Sequence, residues 1–213
     1  MAMDATDQFW WNWAINLSVA IGTLAAVFVA LFGDWIKAKL FRPKLSLSLV
    51  SRGGELKTAV LLSPNGATRE EKARFYHLRV TNLVRWPTAT QVQVHLMRLE
   101  EPGPDGELTL KWAGDVPLRW KFQEIHPISR TVGPSADCDL CSVIKGKWLE
   151  LHPLIVPNNL PARRREKTDL VVSVQARSNE GESDIRRFRI SWDGQWEDGE
   201  SEMIHHLVAK EFT

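Results

Sequence analysis

Between Gln8 and Gly33 the chain carries no charged residue, a run of 26. Coiled as a helix at 1.5 Å per residue, the run is about 39 Å long, more than the roughly 30 Å hydrocarbon core of a bilayer. Its apolar heart is Ala14 to Phe32. A helix that is apolar all round needs either a protein core or lipid around it. Trp10, Trp11 and Trp13 crowd one end, and Trp35 stands at the other. Indole rings favour the headgroup boundary because they are flat, amphipathic and carry one N–H donor. A cleaved signal peptide would begin basic and end in small residues. This leader has Asp4 and Asp7 and no Lys or Arg, and Phe28-Val29-Ala30 puts a ring where cleavage needs a small side chain. The expectation is an uncleaved, single-pass transmembrane helix over 9–33. A short extracytoplasmic tail at 1–8 precedes it and a basic juxtamembrane linker at 34–43 follows.

Lys37, Lys39, Arg42 and Lys44 follow the run, and no basic residue precedes it. The positive-inside rule then places a bacterial-type chain in the inner (cytoplasmic) membrane, N-terminus outside and C-terminal domain in the cytoplasm. Two cysteines make no disulfide framework, which suits a reducing compartment. Ser18, Gly22, Ala26 and Ala30 recur every fourth residue. They form a stripe of small side chains along which two helices in lipid approach closely. The bilayer is thus one expected partner, and a second copy joined through this helix is another.

The remaining stretch, 44–213, reads as strand after strand. Leu45, Leu47 and Leu49 alternate with serines; Tyr76, Leu78 and Val80 alternate with His77 and Arg79. Val92, Val94 and Leu96 repeat the period of two, as do Leu170, Val172, Val174 and Ala176. Phe188, Ile190 and Trp192 fit the hairpin partner of that last strand. Gly53-Gly54 and Asp105-Gly106 read as turns. A short helix is open near Thr68 to Ala73 or around Glu202 to Val208, as no stretch of this part sustains a 3.6-residue period. Prolines break Arg119 to Asn159 into short pieces. Many short strands between turn residues predict an antiparallel sandwich or barrel.

Val80-Thr81-Asn82, then Ala89 and Val92-Gln93-Val94, resembles the V-x-N…A-x-x-V-x-V signature of bacterial immunoglobulin-like adhesion and adaptor domains. The resemblance spans about fifteen residues, and Leu83 to Pro87 stand where the family usually has Gly. It implies an immunoglobulin-like β-sandwich and no particular activity.

Catalytic motifs are absent: there is no Walker A loop, GxGxxG turn, GxSxG elbow or HExxH. Cys138-Asp139-Leu140-Cys141 is the one CxxC. Zinc there needs two further ligands, which only convergence of His126, His152, His205 or His206 would supply. Structural reduced thiols are the expectation, with no metal and no cofactor. Asp193, Asp198 and Glu200 lack the spacing of a calcium loop and read as an acidic turn. Arg163, Arg164, Arg165 and Lys167 form the sharpest basic cluster, with Arg187 and Arg189 on the outer face of a neighbouring hairpin. It is a candidate patch for anionic lipid or an anionic ligand. A formal net charge of +1 argues against nucleic acid as partner. The functional expectation is a membrane-anchored, non-enzymatic protein whose cytoplasmic sandwich binds a partner protein. Two alternatives stand beside it. One is an oligomerising membrane effector gated by an anionic small molecule; the other is a metal-dependent enzyme built on Cys138, Cys141 and histidines.

Overall fold

The computed structural model describes residues 5–40, 42–62, 66, 68–84, 87–122 and 128–212. His126 lies outside the described residues, as do the side chains of Lys37 and Lys39. Two compact units divide the chain, Met1–Arg42 and Pro43–Thr213. The first is one helix, α1 (Ala5–Leu40), whose stretch Gln8–Ile36 is long and apolar enough to cross a membrane. It runs on past Gly33, seven residues into the segment expected to be a linker. It ends before Pro43, whose ring and missing N–H would break a further turn.

The second unit is mainly β. Its strands are β1 (Leu45–Leu49), β2 (Glu55–Leu62), β3 (Thr68–Asn82), β4 (Ala89–Pro102), β5 (Leu108–Pro117), β6 (Arg130–Val132) and β7 (Ser135–Ile144). β8 (Trp148–Leu151), β9 (Arg163–Arg164), β10 (Thr168–Arg177), β11 (Arg186–Trp192), a short helix α2 (Glu200–His206) and β12 (Leu207–Glu211) complete it. One sheet has the order β1-β3-β7-β8-β9 with β2 also on β3; the other has β12-β11-β10-β4-β5 with β6 also on β4. Every pairing is antiparallel. The two sheets share one core, in which Leu47, Tyr76, Leu78 and Val80 of the first join Val94, Leu96, Val172 and Phe188 of the second. The period-two faces read from the sequence are therefore the inward faces. Leu170 stands opposite Ile190 and Val172 opposite Phe188, the hairpin pairing expected.

Two readings are corrected. Thr68 to Ala73 is strand: its helix-favouring Glu, Lys and Ala each contribute well under ~1 kcal/mol, and pairing of 68–75 with all eight residues of β2 outweighs them. Arg119 to Asn159 holds a ten-residue strand, β7, despite its prolines. The second candidate helix exists as α2, displaced two residues toward the N-terminus. Its last turn carries His205 and His206.

Arg74 sits on the inward side of β3, 2% exposed, and no carboxylate pairs with it among the described residues. Backbone carbonyls satisfy it instead. Nη1 donates to Gly53 at 3.2 Å and Gly54 at 3.4 Å, Nε donates to Glu197 at 3.4 Å, and Nη2 donates to Asp198. These oxygens lie in the β1–β2 connection and the β11–α2 connection, so one side chain clasps a loop from each sheet. Gly54 has φ +69°, and a Cβ there would stand 2.9 Å from the Tyr76 ring. Arg74→Met should destabilise the domain by about 2–4 kcal/mol, since charged hydrogen bonds are lost and buried acceptors are orphaned. Chemical denaturation of the full chain reads this, and an unchanged midpoint would remove Arg74 from the account.

Candidate functional site

On α1 the stripe Ser18, Gly22, Ala26 and Ala30 lies along one exposed face. The Ser18 hydroxyl is spent on the Ala14 carbonyl at 2.8 Å, while nothing stands within 4 Å of where a Gly22 Cβ would lie. Trp10, Trp11, Trp13 and Trp35 are all exposed. Trp11 and Trp35 are separated by about 36 Å of helix. The stripe is thus uncovered in the single chain, and the rings sit near both ends of the apolar run.

The basic cluster enters at β9 and the turn before β10. Arg163 Nε donates to Glu150 at 2.8 Å, and Arg164 Nη2 donates to Glu101 at 2.5 Å. The second contact joins β9 of one sheet to β4 of the other. Arg187 and Arg189 share the outer face of β11, as the alternation predicts. Arg187 Nη2 donates to Glu100 at 3.0 Å, and Arg189 holds both oxygens of Asp169 at 2.9 and 2.5 Å. Asp169 links the two groups, because it also lines an open groove of about 490 Å³ with Glu101, Arg163, Arg164, Arg165, Glu166 and Lys167. Four cations and three carboxylates line that groove, so its field is close to balanced. Arg165 and Lys167 are the exposed cations there without an ion pair among the described residues. Sequence reasoning saw the arginines but not the acids, which come from β4, β8 and β10.

Both cysteines are free and buried. Their shared orientation comes from a bulge. Tyr76 faces Cys141 and His77 faces Asp139, which leaves Leu140 as the extra residue of β7. Residues opposite each other in an antiparallel pair share a face, so Cys141 beside Tyr76 and Cys138 beside Leu78 both point into the core. Burial pushes both thiols up, and the negative charge of Asp139 pushes further. Such thiols are poor nucleophiles and poor ligands at neutral pH. The histidines of the same sheet lie on its other side. His152 stacks on Phe75 at 5.6 Å and its Nε2 meets Ser142 Oγ at 2.8 Å, while burial holds its imidazole below the ordinary value. Thiols and imidazoles are thus separated by the thickness of a sheet. Among the described residues no group of three His, Cys, Asp or Glu side chains is placed to hold a metal.

That outer side carries a network the sequence did not reveal. His77 is buried, with Nδ1 2.8 Å from Asp139 Oδ1 and Nε2 3.1 Å from Glu55 Oε2. Lys121 Nζ stands 2.7 Å from the same Glu55 oxygen. Both imidazole nitrogens are occupied by carboxylates, so neither is open to exchange a proton with a bound molecule. The signal available in the sequence was slight: Asp137 and Asp139 alternate on one face of β7, but only the pairing of β7 with β3 brings His77 opposite.

The Lys121 hydrogen bond, helped by Lys57 and opposed by partial burial, holds the Glu55 carboxyl at about 2, well below 4.5. A depressed folded-state pKa adds stability above the unfolded value and loses it as pH falls from about 4.5 toward 2. Glu55→Gln should therefore be less stable than the parent at pH 6 and should converge with it in acid. Denaturation midpoints at several pH values check this; parallel curves would deny Glu55 its part. No family model matches the chain, and no curated protein matches it, so the reading of its function rests on the geometry described above.

Proposed function

We propose that the chain is a single-pass inner-membrane protein anchored by α1, with a non-enzymatic cytoplasmic domain that binds a partner protein. The observation that carries the reading is the exposed apolar stretch Gln8–Ile36, bracketed by tryptophans and followed by basic residues. Leaving that surface in water costs about 25 cal/mol per Å², which lipid removes. The domain is read as an immunoglobulin-like sandwich. In support, β3 ends at Asn82 and the next strand begins at Ala89, the strand–turn–strand order of the V-x-N…A-x-x-V-x-V pattern. Asn82 braces the connection: its Nδ2 donates to the Pro87 carbonyl at 2.9 Å, and its Oδ1 accepts from the Val84 N–H at 3.3 Å.

Binding is favoured over catalysis because the thiols face the core and the buried imidazole is enclosed by carboxylates. Partner protein is favoured over an anionic ligand because the basic groove is almost charge-balanced. A lone anion would have to compete with Glu101 for Arg164 and with Glu150 for Arg163.

The full chain should stay with the membrane fraction through alkaline carbonate extraction, and a reporter after Thr213 should be active only in the cytoplasm. Release by carbonate sinks the anchor, and an externally active reporter sinks the orientation. Phosphate or a nucleoside triphosphate should leave the thermal midpoint unchanged. A saturable rise that Arg165→Glu abolishes would replace partner binding by the ligand-gated reading.

A further inference from the structure

Each edge strand of a sheet offers a row of unpaired N–H and C=O groups to any passing strand, and proteins blunt such edges with shortness, charge, proline or bulges. β9 is two residues long and follows Pro161. β12 has five residues, among them Lys210 and Glu211. β5 shifts register twice against β4 and ends at Pro117. β1 is five residues long and follows Pro43. β2 is longer, has neither proline nor register shift, and carries its charges, Glu55 and Lys57, only in its first half. Its eight residues pair with β3 without a shift, and no described strand lies along its second edge. Its single lysine, Lys57, is held to Glu55 at 3.2 Å and over the Phe122 ring at 4.0 Å. On the strand's other face Leu56 is 42% and Val60 61% exposed, with Thr58 between them. That face continues the inward side of the sheet; from Thr58 onward it lies where β3 has run beyond its pairing with β7, whereas Leu56 stands opposite Arg74, which β7 still pairs.

We propose that β2 pairs with β2 of a second copy of this chain, antiparallel, about a two-fold axis through Thr58. The exposed pattern is self-complementary, which selects a second copy over an unrelated strand. Opposed residues must share a face, so the axis has to centre on a residue. Centred on Lys57 it would set two ammonium groups against each other, which is destabilising. Centred on Ala59 it would set Val60 against Thr58 and Lys57 against Leu61. Centred on Thr58 it sets Leu56 against Val60 of the second copy at both ends and Lys57 against Ala59. No like charges meet, and the apolar side chains left open in one copy cover those of the other. The contact is isologous and closes at two chains. It stands independently of the proposed anchoring, since it uses only the second unit.

The geometry supplies its own test. Opposed Cα atoms in an antiparallel pair are about 4.5–5.5 Å apart, inside the range a disulfide spans. Both native cysteines are buried, so Thr58→Cys places the one exposed thiol. Oxidation of the full-length variant in membrane vesicles should convert most of it into a disulfide-linked dimer. Thr109→Cys, exposed on β5, should remain monomeric. Adding Val60→Lys to Thr58→Cys should abolish the dimer; because residue 60 is exposed, the unfolding midpoint should hold. Three outcomes overturn the proposal: no dimer from Thr58→Cys, equal linking from Thr109→Cys, or a dimer indifferent to Val60→Lys. The last would assign the proximity to another surface, the helices included.

Discussion

A guanidinium taken out of water costs several kcal/mol unless every donor finds a partner, and Arg74 meets that demand with backbone oxygens alone. The carbonyls it uses fix two loops at once. The Gly53-Gly54 corner is held where Gly54 can take its left-handed turn against the Tyr76 ring, and the Glu197-Asp198 segment is held where α2 begins. Asp198 is then presented to Lys72 at 2.5 Å and to Lys145 at 3.2 Å, which tie the same loop to β3 and to the turn after β7. The direction in which β2 leaves that corner follows. A strand that pairs with β3 alone, and over its second half where β7 no longer backs β3, depends on its corner for its course. The side chain that closes one end of the core is thus also the one that sets the exposed edge.

The inward faces were legible because Tyr76-Leu78-Val80 and Leu170-Val172-Val174-Ala176 recur with a period of two, although His77, Val171 and Ser173 between them are buried on the opposite face. Legibility failed wherever a bulge changed parity. On β4 the buried set steps from Leu96 to Leu99, because the register against β10 slips at Met97. On β7 the extra Leu140 turns both thiols inward. A bulge is a property of two strands and leaves little trace in either one's composition. The candidate helix at Thr68 to Ala73 failed for a related reason. Local preference there is genuine but small, and eight long-range backbone pairings decide the outcome.

The basic cluster illustrates the same limit in electrostatic form. A run of Arg163, Arg164 and Arg165 is conspicuous in one dimension, but Glu150 and Glu101, distant in sequence, pair with the first two. Charge in a folded domain is a statement about neighbours in space. What survives the pairing is a groove with two exposed cations, Arg165 and Lys167, that have no ion pair among the described residues, and these define the surface's residual sign. In α1, by contrast, nothing depends on long-range pairing. Its apolar length and its terminal tryptophans were readable residue by residue, because the property that matters there is local.

An open eight-residue edge is a hazard for a freely diffusing protein, since any exposed strand completes it. The proposed anchor changes that balance. A chain held at a membrane by α1 meets its own copies at effective concentrations that tethering raises toward the millimolar range. A strand pair too weak to persist in dilute solution is sufficient there. The two-fold geometry limits the result, because each β2 has one free edge and pairing consumes it, so growth stops at two chains. In the proposed pair, Leu56 of each copy lies against Val60 of the other. Anchor and edge are therefore complementary: one raises the rate of encounter, and the other supplies a specific, closed contact that an apolar helix by itself does not define.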